Sequence, residues 1–422
     1  MAEMPAISFV VPLFNHLEQT QVMLASLQTS LPADLDYEII LTDDASTDGT
    51  GAWLKTLHDS RIKVLLSEKN RGYAANNNAG VRLARGEVLG LLNNDLLFEP
   101  GWLEPMLTAL DSPDLNAGLV GNVQYRVADG SVDHAGVIMT PEGQLHHVHT
   151  LPAPGVSSTR GLAVTGACML LRKADFEMVG GFDEQFVNGC EDIDLCFKLR
   201  AAGKQIILAA ESRIRHHVSL SRKTNSLQDL RNSRLLFKRW RNEIKRELAA
   251  VWHKLLTTGP AAYAEYFVGQ LSEAFLATPH VASRMIAEAM LQREAAFWAR
   301  ELDEARQTDL ADRVSTQGLG YSAELNGHVL KNSAEFVVEG QAYVRNFYVC
   351  GRRMDDASRP VTLTICVNDL QTLTIPLKPE RHLNAGIRDP LLLPGIANRF
   401  RVETTVPLVL THIVVDDQVV DL

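Results

Sequence analysis

The sequence predicts an α/β protein with a doubly wound parallel sheet in its N-terminal half, followed by helices and then a β-rich segment. Three observations predict this class. Four short apolar runs alternate with helix-patterned segments in residues 7–92, the pattern of βαβ units. Helical spacing continues through residues 223–317, and β-branched runs return after residue 318. We therefore expect three domains, at residues 1–222, 223–317 and 318–422.

The composition is that of a globular protein with a sizeable core. Of 422 residues, 46% are hydrophobic and 22% are charged, and no apolar run approaches the ~20 residues of a membrane helix. The N-terminus lacks a basic region before an apolar one, so we expect no secretory signal. Five cysteines without a CxxC pair favour reduced thiols and a cytoplasmic location. The net charge of −10 argues against a nucleic-acid partner.

The elements of the N-terminal half follow in order. Strands are predicted at residues 7–11, 37–41, 62–66 and 86–92, with helices at 17–30, through Trp53 and Leu57, and at 73–84. Neither a GxGxxG after the first strand nor a P-loop lysine motif is present, which argues against a dinucleotide or P-loop fold.

Polar residues follow the second and fourth strands directly. Asp43 and Asp44 end the second, and Asn93, Asn94 and Asp95 end the fourth. Ligands of open α/β sheets bind outside the carboxyl ends of strands, and phosphates with a divalent cation need hard oxygen ligands there. The alternative is a polar turn that only closes a strand. Joined together, these carboxylates favour a ligand site.

The next segment carries small residues and histidines. Gly166 and Ala167 lie in a predicted strand at residues 163–168. His134, His146, His147 and His149 fit no compact zinc spacing, so we expect a mobile polar hairpin without a metal site.

A second group of acids opens a helix that stops at Gly203. Glu191, Asp192 and Asp194 lie in its first turn. Acids there are also favoured simply by the helix dipole, so this pattern alone leaves a structural role open. His216 and His217 follow a further predicted strand at residues 206–210.

Six motifs in this order resemble glycosyltransferase family 2, whose members have the GT-A fold. They span about residues 7–221 and read VVPLFN, LTDDASTDGT, NRGYAANNNAG, LLNND, VTGACMLLRKADFEMVGGFDEQF and NGCEDIDLCFKLRAAG. The NND and GGFDE variants resemble bacterial rhamnosyltransferase-type enzymes that build surface polysaccharides. The resemblance implies inverting sugar transfer from a nucleotide-diphosphate sugar to a glycan, lipid-linked or protein acceptor.

The resemblance also implies the donor side of the site. Asp43 or Asp44 would bind the base or ribose, and Gly166 and Ala167 would back the sugar. The family usually has an Arg where Asn77 stands, which weakens charge pairing with the diphosphate from this helix. The other residues placed around the nucleotide are Pro12, Phe14, Asn15, Lys69, Asn70, Arg71, Gly72, Asn93 and Asn94.

The resemblance assigns a cation and a base. Asp95 is the last residue of the family's DxD motif, whose first Asp is replaced by Asn93; it would bind Mg²⁺ or Mn²⁺ with His216, which we favour slightly over His217. Asp192 would be the catalytic base. Glu191 would orient the acceptor, and Asp194 would cap and support the helix.

The rest of the chain suggests further partners. Residues 221–254 form a basic amphipathic pattern, which indicates either a helix docked on the catalytic domain or weak contact with an anionic membrane surface or lipid-diphosphate acceptor. The C-terminal segment has the strand spacing of a β-sandwich, and it would bind glycan, mediate homo-oligomerisation or only stabilise. Two alternatives to limited sugar transfer stay open: a processive polymerase, and an inactive GT-A scaffold or carbohydrate-binding protein.

Overall fold

The protein is described by a computed structural model. It covers residues 5–217, 227–259, 261–301, 314–339, 346–354, 360–377, 382–388, 390–392, 397–415 and 418–422. The chain forms two compact units. The first comprises residues 1–139 and 145–240, and the second residues 140–144 and 241–422.

The first unit alternates strands and helices as the sequence predicts. Its strands are β1 (Ile7–Leu13), β2 (Tyr37–Asp43), β3 (Ile62–Leu66), β4 (Val88–Leu92), β5 (Leu96–Leu97), β6 (Ala117–Arg126), β7 (Val132–His134), β8 (Val137–Met139), β9 (Leu145–His147), β10 (Ser158–Gly161), β11 (Cys168–Arg172) and β12 (Gln205–His216). Its helices are α1 (Leu17–Ser30), α2 (Thr50–Leu54), α3 (Tyr73–Leu83), α4 (Leu103–Asp111), α5 (Lys173–Met178), α6 (Glu191–Ala201) and α7 (Leu227–Arg239).

The main sheet is mixed. Its strand order is β10-β12-β6-β11-β4-β1-β2-β3. The strands β3, β2, β1 and β4 run parallel, whereas β11 is antiparallel to both β4 and β6. The predicted α/β class is therefore confirmed, but two strands of this order run antiparallel to the others: β11 inside the sheet and β10 at its edge.

Both faces of this sheet are buried, which explains why its strands are continuous apolar runs. Phe9 and Val11 face one core with Trp102, whereas Val10 faces a second core with Leu195. Because side chains alternate across a strand, only a sheet covered on both sides needs an apolar residue at every position.

Strand β1 extends further than predicted, through Pro12 to Leu13. Its ladder with β2 reaches Leu13↔Asp43, but its ladder with β4 ends at Val10↔Leu91. Pro12 thus lies beyond the β4 ladder, where its missing N–H removes no bond to that strand. The chains of β1 and β4 separate at this point.

The predicted basic helix is two helices, and the junction between them contacts α6 and the loop before it. Helix α7 ends at Arg239, and α8 (Arg241–Thr258) begins two residues later. Between them, Trp240 Nε1 donates to the buried Asp194 Oδ1 at 2.8 Å. Arg239 pairs with Asp194 at 2.9 Å and with Asp183 at 2.6 Å. The indole and guanidinium are bound to α6 and the loop before it, so this part of the basic pattern is used in docking within the first unit.

The second unit combines helices and antiparallel sheets. Its remaining helices are α9 (Ala262–Val268), α10 (Glu273–Leu276) and α11 (Pro279–Glu301). Its strands are β13 (Val314–Gln317), β14 (Gly320–Ser322), β15 (Gly327–Leu330), β16 (Ser333–Val338), β17 (Asn346–Arg353), β18 (Val361–Val367), β19 (Gln371–Leu377), β20 (His382–Arg388), β21 (Asn398–Thr404), β22 (Leu408–Val415) and β23 (Gln418–Asp421).

These strands form two sheets that share one core, as the predicted β-sandwich requires. The orders are β13-β16-β21-β18-β19 and β14-β15-β22-β17-β20, with β23 on β22. Phe336 and Phe400 of one sheet pack on Phe347 of the other, with centroid distances of 5.5 and 4.3 Å. Within this unit, a backbone hydrogen bond from Ser272 N to Leu370 O, 2.7 Å long, links the helical segment to the turn between β18 and β19.

The predicted domain boundary at residues 222/223, with Arg222 and Lys223, lies outside the described residues. The three-domain division stays a prediction. Among the described residues, no helix is long and apolar enough to cross a membrane.

Candidate active site

A cavity of about 740 Å³ opens in the first unit where β1 and β4 separate. It collects residues that are far apart in the chain. The predicted site residues that line it are Pro12, Phe14, Asp44, Asn70, Gly72, Asn93, Asn94, Asp95, Gly166, Ala167, Glu191, Asp192 and His216.

Five predicted site residues, Lys69 and the four that follow, are not among those that line the cavity. Asn15, with a φ of 59°, accepts from Thr47 N at 2.8 Å and so supports the turn after β2. Asp43 is buried and accepts from Ser46 N at 3.3 Å. Arg71 points to Glu184 at 3.5 Å, and the buried Asn77 donates to Tyr73 O at 3.1 Å.

The Asp44 carboxylate binds backbone rather than side chains. Gly72 N donates to Asp44 Oδ2 at 2.8 Å, and Arg71 N donates to Oδ1 at 2.9 Å. Gly72 has a φ of 87°, a conformation that favours glycine. Asp44 therefore fixes the loop before α3 against the end of β2.

The exit of β4 presents oxygen atoms to the cavity. Asn94 Nδ2 donates to Thr20 Oγ1 at 2.9 Å, and Asn93 N donates to Ala167 O at 2.8 Å, which fixes the backbone. Within the described residues, the buried atom Asn93 Oδ1 has no hydrogen-bond partner, and the buried atom Asp95 Oδ1 faces the ring of His216 at 3.3 Å. Buried carboxylate and amide oxygens are normally satisfied, so these two atoms suit a cation or a donor group.

The ring of His216 lies between Asp95 and Asp133, a residue outside the sequence motifs. Its Nε2 lies 3.3 Å from Asp95 Oδ1, and its Nδ1 lies 3.3 Å from Asp133 Oδ2. Burial lowers the pKa of His216, but hydrogen bonds to Asp133 and Asp95 outweigh burial and raise that pKa to about 9. His217 instead donates its backbone N–H to Asp95 O at 2.9 Å. Between the two histidines, His216 is the one whose ring faces Asp95.

These atoms fit a divalent cation. Octahedral Mg²⁺ has ligand bonds of about 2.0–2.1 Å, so adjacent ligands are about 3 Å apart. The 3.3 Å between Asp95 Oδ1 and His216 Nε2 is close to that spacing. Among the described residues, no cluster of three or more His, Cys, Asp or Glu side chains is arranged to hold a metal. A cation here would take its other ligands from a bound diphosphate and water.

On the other side of the cavity, Asp192 is held at the start of α6. Its Oδ2 accepts from Gly166 N at 2.8 Å, and its Oδ1 accepts from Ile193 N at 2.8 Å. Two backbone N–H groups thus fix both oxygens of the carboxylate. A Cβ at Gly166 would lie 3.1 Å from Tyr73 Oη and 3.3 Å from Asp192 Cβ, so these neighbours would have to move by a few tenths of an ångström. Glu191 accepts from Gly189 N at 2.6 Å, which shapes the preceding loop.

The histidine-rich segment lies closer to the site than its sequence indicated. His146, His147 and His149 line the cavity. His134 is fully buried rather than part of an exposed hairpin; its Nε2 accepts from Gly136 N and Thr165 N at 3.2 Å each. Burial lowers its pKa to about 3. No spacing in the sequence signals this, because Thr165 comes close to His134 where Val137 bridges Ala163, two residues far apart in the chain.

The fold and this cavity define a class of protein. It is an α/β domain in which carboxylates and a histidine at strand ends face the Asp192 carboxylate at the start of a helix. Residues 8–177 match the model of glycosyl transferase family 2. This match confirms the predicted family resemblance over these residues, and together with the mixed sheet it confirms the predicted GT-A fold class.

Parts of the chain are similar to individual proteins. The chain is 32% identical over 238 residues to O-antigen biosynthesis protein RfbC of Myxococcus xanthus, and the match covers 53% of this chain and 18% of that protein. It is 28% identical over 235 residues to validoxylamine A glucosyltransferase of Streptomyces hygroscopicus subsp. jinggangensis, covering 50% and 55%. The chain therefore spans about a fifth of RfbC and about half of the glucosyltransferase. A structure of GalNAc-T7 with UDP, GalNAc and Mn²⁺ aligns with a TM-score of 0.49 at 15% identity, covering 80% of this chain and 65% of that one.

Proposed function

We propose that this protein is an inverting, cation-dependent glycosyltransferase that moves a hexosyl or deoxyhexosyl group from a nucleotide-diphosphate sugar to a hydroxyl of a glycan, lipid-linked or protein acceptor. The observation that carries the proposal is the shared cavity. It brings Asp44, Asp95 and His216 together with Asp192, although β4 and α6 are almost a hundred residues apart in the chain. The oxygen atoms on one side of the cavity suit a cation and the diphosphate of a donor. The Asp192 carboxylate on the other side suits the hydroxyl group of an acceptor.

Asp192 is the proposed base. The acceptor oxygen forms a bond to the anomeric carbon while the bond from that carbon to the diphosphate breaks. The acceptor proton passes to the Asp192 carboxylate, and the electron pair of the broken bond leaves on the diphosphate. A positioned base of this kind contributes about 10²–10⁴-fold to the rate. Because one displacement is enough, the configuration at the anomeric carbon inverts.

The donor is bound by the strand ends. Pro12 and Phe14 lie under the nucleoside, and Asp44 holds the loop of Asn70 and Gly72 beside it. A Mg²⁺ or Mn²⁺ ion held by Asp95 and His216, with Asn93 as a weaker ligand, would neutralise charge on the leaving diphosphate. Small residues at Gly166 and Ala167 leave room for the sugar.

The proposed context is the synthesis of a bacterial surface polysaccharide in the cytoplasm. The similarity to the O-antigen biosynthesis protein RfbC supports this context. Weak contact with a membrane surface and homo-oligomerisation through the C-terminal sheets belong to the proposal as well.

A donor panel tests the function without knowledge of the acceptor. Nucleotide-diphosphate sugars are screened with Mn²⁺ for a shift in melting temperature, and those that bind are assayed for nucleotide release by water. The first sugar anomer in early NMR spectra should have the opposite configuration to the donor. Retention would contradict the inverting mechanism.

Two variants make the assay specific. Asp95→Ala should abolish cation-dependent nucleotide binding and release, whereas Asp114→Ala, at an exposed position outside the cavity lining, should not. Undiminished release in excess chelator would contradict cation dependence. Binding without release for every donor would favour the inactive scaffold or carbohydrate-binding protein.

A further inference from the structure

We infer that Asp133 is a positioning residue for the cation site: it binds Nδ1–H of His216 and thereby presents His216 Nε2 beside Asp95. The inference rests on the cation-binding part of the proposed function. It adds a residue that lies outside the motifs of the sequence and more than eighty positions from the histidine that it contacts.

The contact is built where β6 and β12 end and the antiparallel β7 begins. His216, the last residue of β12, is paired in register with Arg126, the last residue of β6. Strand β7 pairs with β6 on a register of Gln124↔His134 and so brings Asp133 to the same place. One oxygen of Asp133 lies 3.3 Å from His216 Nδ1, and the other lies 3.3 Å from Arg126 Nε. Both carboxylate oxygens are therefore fixed, and Asp133 is buried.

This arrangement determines which nitrogen of the ring serves the site. With a cation bound beside Asp95, Nε2 would give its lone pair to the ion, so the one proton of the neutral His216 ring would lie on Nδ1, where the Asp133 carboxylate accepts it. Nε2 and Asp95 Oδ1 lie 3.3 Å apart, so both can reach one ion. The two carboxylates face opposite nitrogens of one ring, so an ion beside Nε2 does not reach Asp133. Asp133 acts through His216, as carboxylates behind metal-binding histidines do.

Arg126 supports the same geometry from the far side. It neutralises the buried carboxylate without competing for Nδ1, because it uses the other oxygen.

The test measures Mn²⁺ affinity and the ring tautomer separately. Free Mn²⁺ is followed by electron paramagnetic resonance during titration of the full chain with Mn²⁺ alone. In Mg²⁺-loaded protein with ¹⁵N-labelled histidine, long-range ¹H–¹⁵N spectra report which nitrogen of His216 carries the proton, and His216→Gln assigns the signals. The variants are Asp133→Asn, which removes the charge, and Asp133→Leu, which removes the acceptor at similar volume. Asp129→Asn is the control, since that exposed carboxylate bonds Ser131 in the adjoining turn.

Loss of Asp133 should weaken Mn²⁺ binding about 10–100-fold, the usual effect of removing such a partner. The Nδ1–H signature should be lost in Asp133→Leu, and Asp129→Asn should match the wild type in both measurements. Circular dichroism identifies any variant that fails to fold, and Asp133→Asn then carries the affinity measurement. Unchanged affinity and tautomer in folded Asp133 variants, with His216→Gln still weakening Mn²⁺ binding, would overturn the inference alone. Absence of Mn²⁺ binding by the wild type would overturn it together with the proposed cation.

Discussion

The backbone N–H of Gly166 donates to the Asp192 carboxylate at 2.8 Å, and the space between the two residues is too small for an added Cβ without movement. This relationship joins the start of α6 to the segment before β11. It places the proposed base next to the residues that would back the donor sugar.

Replacing the proposed base should separate chemistry from binding. Asp192→Asn keeps the shape but removes the proton acceptor, so kcat should fall by about 10²–10⁴-fold while donor affinity is nearly unchanged. Steady-state kinetics and donor titration measure the two effects. If Asp192→Asn transfers sugar at a near-normal rate and Glu191→Gln does not, the proposed assignment of the base to Asp192 is wrong.

A methyl group at position 166 should disturb the same carboxylate. The added Cβ would meet Tyr73 Oη at 3.1 Å and Asp192 Cβ at 3.3 Å, so Gly166→Ala should lower kcat/KM by roughly tenfold or more, an effect expected from small misplacements. Gly161→Ala is the matched control, because its Cβ would meet only Ala163 O, at 3.7 Å. Equal kinetics for the two variants would show that the close contact does not position Asp192.

Asp44 should affect the donor more than the chemical step. Without its carboxylate, the N–H groups of Arg71 and Gly72 lose their acceptor, and the loop beside the proposed nucleotide site loosens. Asp44→Ala should raise the donor KM more than it lowers kcat, the pattern of lost uniform binding. We expect Asp43→Ala to behave similarly. Unchanged donor affinity in both variants would remove them from the nucleoside site.

The buried His134 should make stability depend on pH. Its folded pKa of about 3 lies below the usual value of 6.5, so the fold favours the neutral ring, beside His147, Asp133 and His216. Its contribution is fully present above about pH 6.5 and is lost as pH falls towards 3, with a slope of up to about 1.4 kcal/mol per pH unit. The free energy of unfolding of His134→Gln, which does not titrate, should therefore fall less steeply over this range. Denaturant unfolding from pH 7 to 4.5 measures the difference, and parallel curves would contradict it.

Arg239 should contribute to the fold rather than to a membrane surface. It binds Asp183 and the buried Asp194, so Arg239→Ala should destabilise the protein by about 1.5–3 kcal/mol, the range for charged hydrogen bonds. Arg172→Ala, which breaks the exposed pair with Asp111, should cost about 1 kcal/mol or less. Flotation with anionic liposomes at physiological salt should leave most of the wild-type protein unbound. Strong flotation that Arg239→Ala abolishes without loss of stability would favour the membrane interpretation.

Much of the first sheet follows from local patterns. Helix α1 spans Leu17–Ser30 as predicted, and β3 spans Ile62–Leu66 as predicted. Residues that follow a buried parallel strand must emerge at its carboxyl end, so Asp44 and Asp95 were expected at one edge of the sheet, and both line the cavity. The sequence alone therefore determines the α/β class and the edge of the sheet at which the cavity opens, because the periodicity of strands and helices is a local property of the chain.

Only the tertiary structure decided which side chains meet. Asp133 reaches His216 across 83 positions, His134 reaches Thr165 across 31, and Gly166 reaches Asp192 across 26. These contacts depend on strand β7, which has three residues, and on β11, which runs antiparallel to both of its neighbours, β4 and β6. So short a strand carries no measurable periodicity, and strand direction is fixed by neighbours that are distant in sequence. The histidine partners and the support of the proposed base are thus products of sheet pairing, which local sequence patterns do not encode.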